Sequence, residues 1–247
     1  FVMTKHTITE RTGWRKSVAA ITEAVTADDG SVDNVTLDNC MNAAGATAKL
    51  LPGTQKSANV LTYQELILSE QLPSSIIIGG SGAIGTEFAY VLNAYGVDVT
   101  VVEYLDRMVP TEDAEVSAEL AKAYRKLGIK VLTSTAVKSV VDTGSGVQVT
   151  IEPAKGGEQQ VLTADKMLQA MGFAPRIEGY GLDKTGVQLT QRGAIEIDDY
   201  CRTNVAGIYA IGDVTAKMML AHTAEAQGVV AAETIAGAET MPVNYAM

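Results

Sequence analysis

Cysteine is nearly missing from this chain of 247 residues: there are two, Cys40 and Cys201, far apart in sequence. They form neither a C-x-x-C pair nor a metal-ligand spacing, and a structural disulfide is not expected in a chain that reads as cytoplasmic. Both are expected as buried free thiols. Histidine is equally scarce, with only His6 and His222; His6 reads as a surface residue, and no metal centre is expected. Positive charge is short, with 19 Lys and Arg against 29 Asp and Glu and a formal net charge of −10. That balance argues against nucleic acid and against anionic membrane surfaces as partners. No apolar run approaches the roughly 18 residues of a membrane span, no signal-peptide pattern opens the chain, and no solenoid-type repeat is visible. A start at Phe1 rather than methionine leads us to expect a processed or truncated piece.

What is present is a globular composition. Hydrophobic residues make up 47% and charged residues 19%, enough apolar matter for one large domain or two modest ones.

One stretch organises the rest. Ile76-Ile77-Ile78 reads as a buried parallel strand. Gly80, Gly82 and Gly85 follow in G-x-G-x-x-G spacing, then a helical segment from Ala83 to Tyr95 with Ala83, Phe88, Val91, Leu92 and Tyr95 on its expected inner face. Gly96 suits the helix end, and Asp98–Glu103 reads as a second strand tipped by an acid. Each part has a physical role in holding a dinucleotide. Gly80 permits the tight turn, Gly82 lets a pyrophosphate approach the backbone, and Gly85 lets helix pack on strand. The helix N-terminus offers free N–H groups and its positive dipole end. Glu103, about 20 residues on, is placed to accept from both ribose hydroxyls and to repel a 2′-phosphate, which selects NAD(H) over NADP(H). The competing reading is a βαβ unit whose glycines serve packing alone.

Along the chain, Thr7–Glu10 reads as a short strand, and Ala20–Thr26 and Val32–Leu37 as a hairpin around Asp28-Asp29-Gly30. Trp14-Arg15-Lys16 reads as ordinary surface. Thr62–Glu70 has helical spacing. Asp113–Leu127 reads as a helix with acids at its start and Lys122, Arg125 and Lys126 near its end, and Ile129–Leu132 as a strand. Val137–Val141, Val147–Ile151 and Gln159–Leu162 suggest an antiparallel meander, followed by a buried strand at Lys166–Met171. Further strands are expected at Ala194–Ile197 and Ile208–Ile211, and a helix at Leu220–Ala236. The order strand–helix–strand–helix–strand gives an α/β, doubly wound parallel sheet.

Several separated motifs point to one family. Gly80–Glu87 (GSGAIGTE) with Glu103, Ala170–Pro175 (AMGFAP), Thr203-Asn204-Val205 before Ile208–Asp213 (IYAIGD), and Leu220-Ala221-His222 with Ala224–Gly228 (AEAQG) together resemble the flavoprotein pyridine nucleotide-disulfide oxidoreductases. Gly179–Gly186 (GYGLDKTG) resembles the branch that oxidises dihydrolipoamide.

The resemblance implies a Rossmann-like NAD-binding domain, a parallel sheet plus three-strand antiparallel meander, at 73–176. It would be inserted in a partial FAD-binding domain made of 1–72 and 177–247. By the same resemblance the backbone of Gly80, Ser81, Gly82, Ala83, Ile84 and Gly85 binds the NAD pyrophosphate and Glu103 the ribose. Val137 touches the adenine, and Gly172 lies against the nicotinamide half. Toward FAD it implies Gly45 in the Ala44-Gly45-Ala46 turn and Asp213 on the ribityl chain, with Met219, Leu220, Ala221 and His222 along the flavin pyrimidine edge. Asp213 has a rival reading as a turn former. His222 reads as a backbone and cap-region contributor, and Glu87 as either a nicotinamide neighbour or a solvated helix residue.

No catalytic residue is assigned. The family's first glycine loop, its two redox cysteines four residues apart and its His–Glu pair do not occur in this sequence. The expected function is FAD-dependent hydride transfer between dihydrolipoamide and NAD in the complete enzyme, with a lipoyl-bearing protein and a second copy of the parent as partners. The alternatives are a non-catalytic dinucleotide-binding module and another NAD-dependent flavoprotein disulfide reductase.

Overall fold

The structure, a computed structural model, describes residues 13–19 and 21–246; the expected strand Thr7–Glu10 and His6 lie outside the described residues. The chain forms two compact units. One comprises the described residues up to Thr47 together with those from Ala174 on, and the other is Ala48–Phe173. Strands β1 (Trp14–Ala19), β2 (Thr22–Thr26) and β3 (Val32–Thr36) make an antiparallel sheet in the first unit. The hairpin turn holds Gly30 at φ +82°, and Asp29 Oδ1 accepts from Ser31 N–H at 2.9 Å. Trp14-Arg15-Lys16 is exposed, as expected of plain surface, and it also begins β1, paired with Ala24–Thr26. β4 (Cys40–Asn42) belongs to this unit, and β5 (Ala46–Ala48) lies where the chain first passes to the other.

The second unit begins at Ala48 rather than at residue 73, because the segment 48–72 packs into it. β6 (Val60–Leu61) is an edge strand, parallel to Met167-Leu168. Helix α1 (Tyr63–Ile67) is shorter than expected; Thr62 and Glu65 form a capping box at its start, and Ile67 is exposed. β7 (Ser75–Gly79), α2 (Ala83–Ala94), β8 (Asp98–Val102), α3 (Ala114–Lys126) and β9 (Lys130–Leu132) follow. The meander is β10 (Thr135–Asp142), β11 (Val147–Pro153) and β12 (Gln160–Ala164), and β13 (Lys166–Gln169) returns to the sheet, whose order is β6-β13-β7-β8-β9.

The sheet is covered on both faces, which explains its continuous apolar strands. Ile76, Ile78, Val99, Val101 and Leu168 pack with Ala89, Leu92 and Tyr124 of the helices. Ile77, Val102 and Met167 pack under Val147, Val149 and Ile151 of the meander. The alternation along β7 is the strand period of two sorting residues to opposite faces.

The face of α2 differs from expectation. Its buried line is Gly85, Thr86, Ala89 and Leu92, while Val91 and Tyr95 are exposed. Close approach at Gly85 sets the line of contact; Leu92 and Phe88 pack against the core as expected, while Val91 and Tyr95 turn outward. α3 is capped by Asp113, whose side chain accepts from Glu115 N–H, and Arg125 and Lys126 occupy its last turn.

β14 (Phe173–Pro175) leads back to the first unit, where β15 (Ile208–Ala210) runs parallel to β4. Ala194–Ile197 forms no strand: its one ladder contact is the isolated bridge Leu189↔Ile195. The turn at Thr190–Gly193 closes too soon after that pair for a ladder, and Ile195 N–H bonds to Val214 C=O instead. Helix α4 (Ala221–Ala236) ends at Gly237, φ +69°. Ile195, Ile197, Cys201, Val214 and Ala231 share this unit's core.

Candidate functional site

The glycine loop joins β7 to α2, and its three glycines are held by different constraints. Gly80 has φ +102°, and a Cβ there would lie 2.4 Å from Ala170 C=O. A Cβ at Gly85 would lie 2.0 Å from Gly80 C=O. Gly82 is under no such constraint: a Cβ there would meet nothing within 4 Å. Two glycines are therefore demanded by the fold, and the third leaves open space before a helix terminus. Gly82 is the N-cap of α2, no side chain caps that end, and its first turn carries no acid. Such an end presents unpaired N–H groups and a positive dipole terminus to an anion.

Glu103 follows β8 directly and is 7% exposed. Its Oε2 accepts from Ser81 N–H and from Ser81 Oγ–H, both at 2.8 Å. Its Oε1 accepts from Leu105 N–H at 2.8 Å. The carboxylate thus faces the glycine loop, held by three donors. An ionised carboxylate offers about four lone-pair sites, so one remains, on Oε1.

A groove of about 960 Å³ contains the loop residues Gly80 to Ile84, Glu103, Val137 and Gly172. Gly85 lies behind it, against the strand. The wall residues not assigned to the site from sequence include Leu51, Pro52, Tyr63 and Gln169. The Gln169 side chain, 1% exposed, accepts from Leu51 N–H at 2.6 Å and donates to Thr54 Oγ1 at 3.1 Å, which fastens the 51–54 loop beside the groove. The loop had a visible turn signal, Leu51-Pro52-Gly53, but nothing local names its anchor. A second cavity of about 1060 Å³ lies along β9, α3 and β12 and shares no residue with the groove. Glu87 is exposed on α2 and lies outside the groove lining.

The candidates in the other unit cluster near two turns. Gly45 has φ +74° with open space at its Cβ position, and its C=O accepts from Arg176 N–H at 2.9 Å. Asp213 lies in a 3-10 turn, Gly212–Thr215, that no side chain caps. The turn is held instead by Gly212 N–H donating to Gln227 Oε1 at 2.6 Å. The Asp213 carboxylate is thus not spent on forming its own turn. Met219 is half-buried and Leu220, Ala221 and His222 are exposed. Leu220 is the N-cap of α4, without a side-chain cap and with no acid in the first turn, so this end too is open.

Cys40 and Cys201 are buried free thiols. Burial, and then nearby Asp198, pushes Cys201 up to about 11; burial also raises Cys40. A thiol so held is not a nucleophile at neutral pH. Among the described residues no group of His, Cys, Asp and Glu is placed to hold a metal ion, and no helix is long and apolar enough to cross a membrane.

Residues 3–228 match the profile of the pyridine nucleotide-disulphide oxidoreductases. The chain is 58% identical over 244 residues to the dihydrolipoyl dehydrogenase of Mycobacterium bovis, covering 99% of this chain and 52% of that one. It is 55% identical to that of Mycobacterium leprae, again over 99% and 52%. The chain therefore spans about half the length of these relatives. Among solved structures, LpdA of Mycobacterium tuberculosis superposes with a TM-score of 0.85 at 31% identity, over 96% of this chain and 51% of that one. The flavoprotein disulfide reductase RclA of Escherichia coli shares the fold, with a TM-score of 0.84 at 22% identity over 95% and 52%.

Proposed function

The chain belongs to the pyridine nucleotide-disulphide oxidoreductase family, and from that premise we propose that it carries the NAD-binding part of a dihydrolipoyl dehydrogenase. NAD(H) occupies the groove of Ala48–Phe173, its diphosphate at Gly82 and the N-terminus of α2, its adenosine ribose at Glu103. The observation that carries this reading is the space left at Gly82 beside a carboxylate already fixed at the tip of β8. Val137 and Gly172 line the same groove, as adenine and nicotinamide neighbours.

FAD is the second cofactor of this reading. Asp213 offers an unused carboxylate for a ribityl hydroxyl. The open N-terminus of α4, behind Met219, Leu220, Ala221 and His222, offers its dipole to the pyrimidine end. Gly45 leaves backbone room for close approach. When bound, the two cofactors supply the hydride- and electron-carrying chemistry; the residues named bind and orient them. In the complete enzyme the net reaction is oxidation of dihydrolipoamide to lipoamide with reduction of NAD+, in the cytoplasm, with a lipoyl-bearing protein as donor and a second copy as dimer partner. Cys40 and Cys201 take no part in the sulfur chemistry, since both are buried and protonated.

Calorimetric titration of the chain with NADH tests the proposal. Saturable binding, weaker for NADPH, is expected. A folded chain that gives no binding heat at any temperature, and no shift in melting temperature with NADH, defeats it.

A further inference from the structure

We infer that Ser81, the residue between the first two glycines of the loop, is a positioning residue for nucleotide choice: its hydroxyl locks Glu103 so that the pocket discriminates against a 2′-phosphate. This rests on the NAD(H) assignment of the groove and deepens it. The Ser81 side chain is 0% exposed, yet its Oγ–H is not spent on the backbone; it donates to Glu103 Oε2 at 2.8 Å. Ser81 N–H donates to the same oxygen. One residue therefore fills both lone pairs of Oε2, while Leu105 N–H takes one of Oε1.

Two consequences follow. The open lone pair on Oε1 is the one left to accept a ribose hydroxyl. The carboxylate also cannot turn without breaking three charge-assisted hydrogen bonds, two of them to Ser81. Backbone N–H groups alone place one donor on each oxygen, a looser hold that leaves Oε2 half-paired in a closed space. Rejection of a 2′-phosphate needs a negative charge that stays where the phosphate must go. A carboxylate held by two donors yields more readily to the phosphate than one held by three. The hydroxyl thus acts on selectivity through Glu103, without touching the nucleotide.

The test is titration of the 247-residue chain and its Ser81→Ala and Ser81→Gly variants with NADH and with NADPH, alongside melting curves without nucleotide. Both substitutions remove atoms from a closed site and introduce no clash. In each, the ratio of NADPH to NADH dissociation constants is expected to fall by about tenfold to a hundredfold, the range of one hydrogen bond to a charged group. A merely structural role for Ser81 moves both constants together and leaves the ratio alone, and that result overturns the inference. No NADH binding by the unsubstituted chain overturns the groove assignment itself, and the Ser81 role with it. Wild-type binding with an unchanged ratio in the variants overturns the Ser81 role only.

Discussion

Replacing Gly82 by valine separates the needs of the fold from the needs of a ligand. The backbone at Gly82 is φ −70°, ψ −171°, a region any L-residue adopts, and an added Cβ there meets nothing within 4 Å. With the Cβ position open, the expected cost to the folded state is the N-cap preference of glycine, about 1 kcal/mol or less, which for a chain of this length is a melting shift of about 2–4 °C. A diphosphate at the same place loses its approach to the backbone. Hydrogen bonds to a charged group contribute about 1.5–3 kcal/mol each. Losing two of them raises the NADH dissociation constant by roughly a hundredfold to ten-thousandfold.

Gly85→Ala is the opposite control. Its Cβ would lie 2.0 Å from Gly80 C=O, backbone against backbone, so α2 must shift off β7. A cost of about 1–3 kcal/mol or more is expected from such overpacking, with stability and binding falling together. Scanning calorimetry and isothermal titration on both variants read the two effects. A folded Gly82→Val chain that binds NADH like the parent refutes the reasoning, as does a Gly82→Val chain less stable than Gly85→Ala.

Three other outcomes are expected. Gln227→Leu removes a fully buried amide that accepts from Gly212 N–H and donates to Tyr245 Oη; orphaning the buried N–H should cost about 1–3 kcal/mol in denaturant unfolding, and a change under 0.5 kcal/mol would show those bonds to be replaceable by water. Asp142 is held at about 2, chiefly by Ser57 and then Asn59, and Glu65 at about 2, chiefly by Lys56 and then Thr62. Both pKa values are lowered by folding, so their contribution is present above the ordinary carboxylate range near 4 and fades as pH falls toward 2. Melting temperature should drop across that window, and the drop should shrink in Asp142→Asn; an equal drop in the variant contradicts the assignment. Finally, a thiol reagent at pH 7 should label Cys40 and Cys201 only on unfolding. Stoichiometric labelling of the native chain within minutes would contradict their burial.

The βαβ unit was legible because its signals are local. Three isoleucines, three spaced glycines and an acid after four apolar or β-branched residues each act within a few positions of one another. The meander was legible for the same reason, as alternating strands broken by Thr143-Gly144-Ser145-Gly146. Legibility failed where partners are distant. Val91 and Tyr95 look like core residues on a helical wheel, yet they are exposed, because the contact line is set by Gly85 against β7. Residues 48–72 look like part of the preceding segment, yet Val60-Leu61 pair with β13 about a hundred positions on, and Gln169 holds the 51–54 loop. No window of neighbouring residues contains that information.

From sequence alone came the order of the elements, the place of the glycine loop and the acid that ends β8, since backbone conformation and side-chain period are properties of short stretches. The folded chain decided which lone pair of Glu103 stays free, which glycine is open to a ligand, and which face of α2 is buried. Those depend on atoms brought within 3 Å of one another from separate strands, and only packing determines such distances.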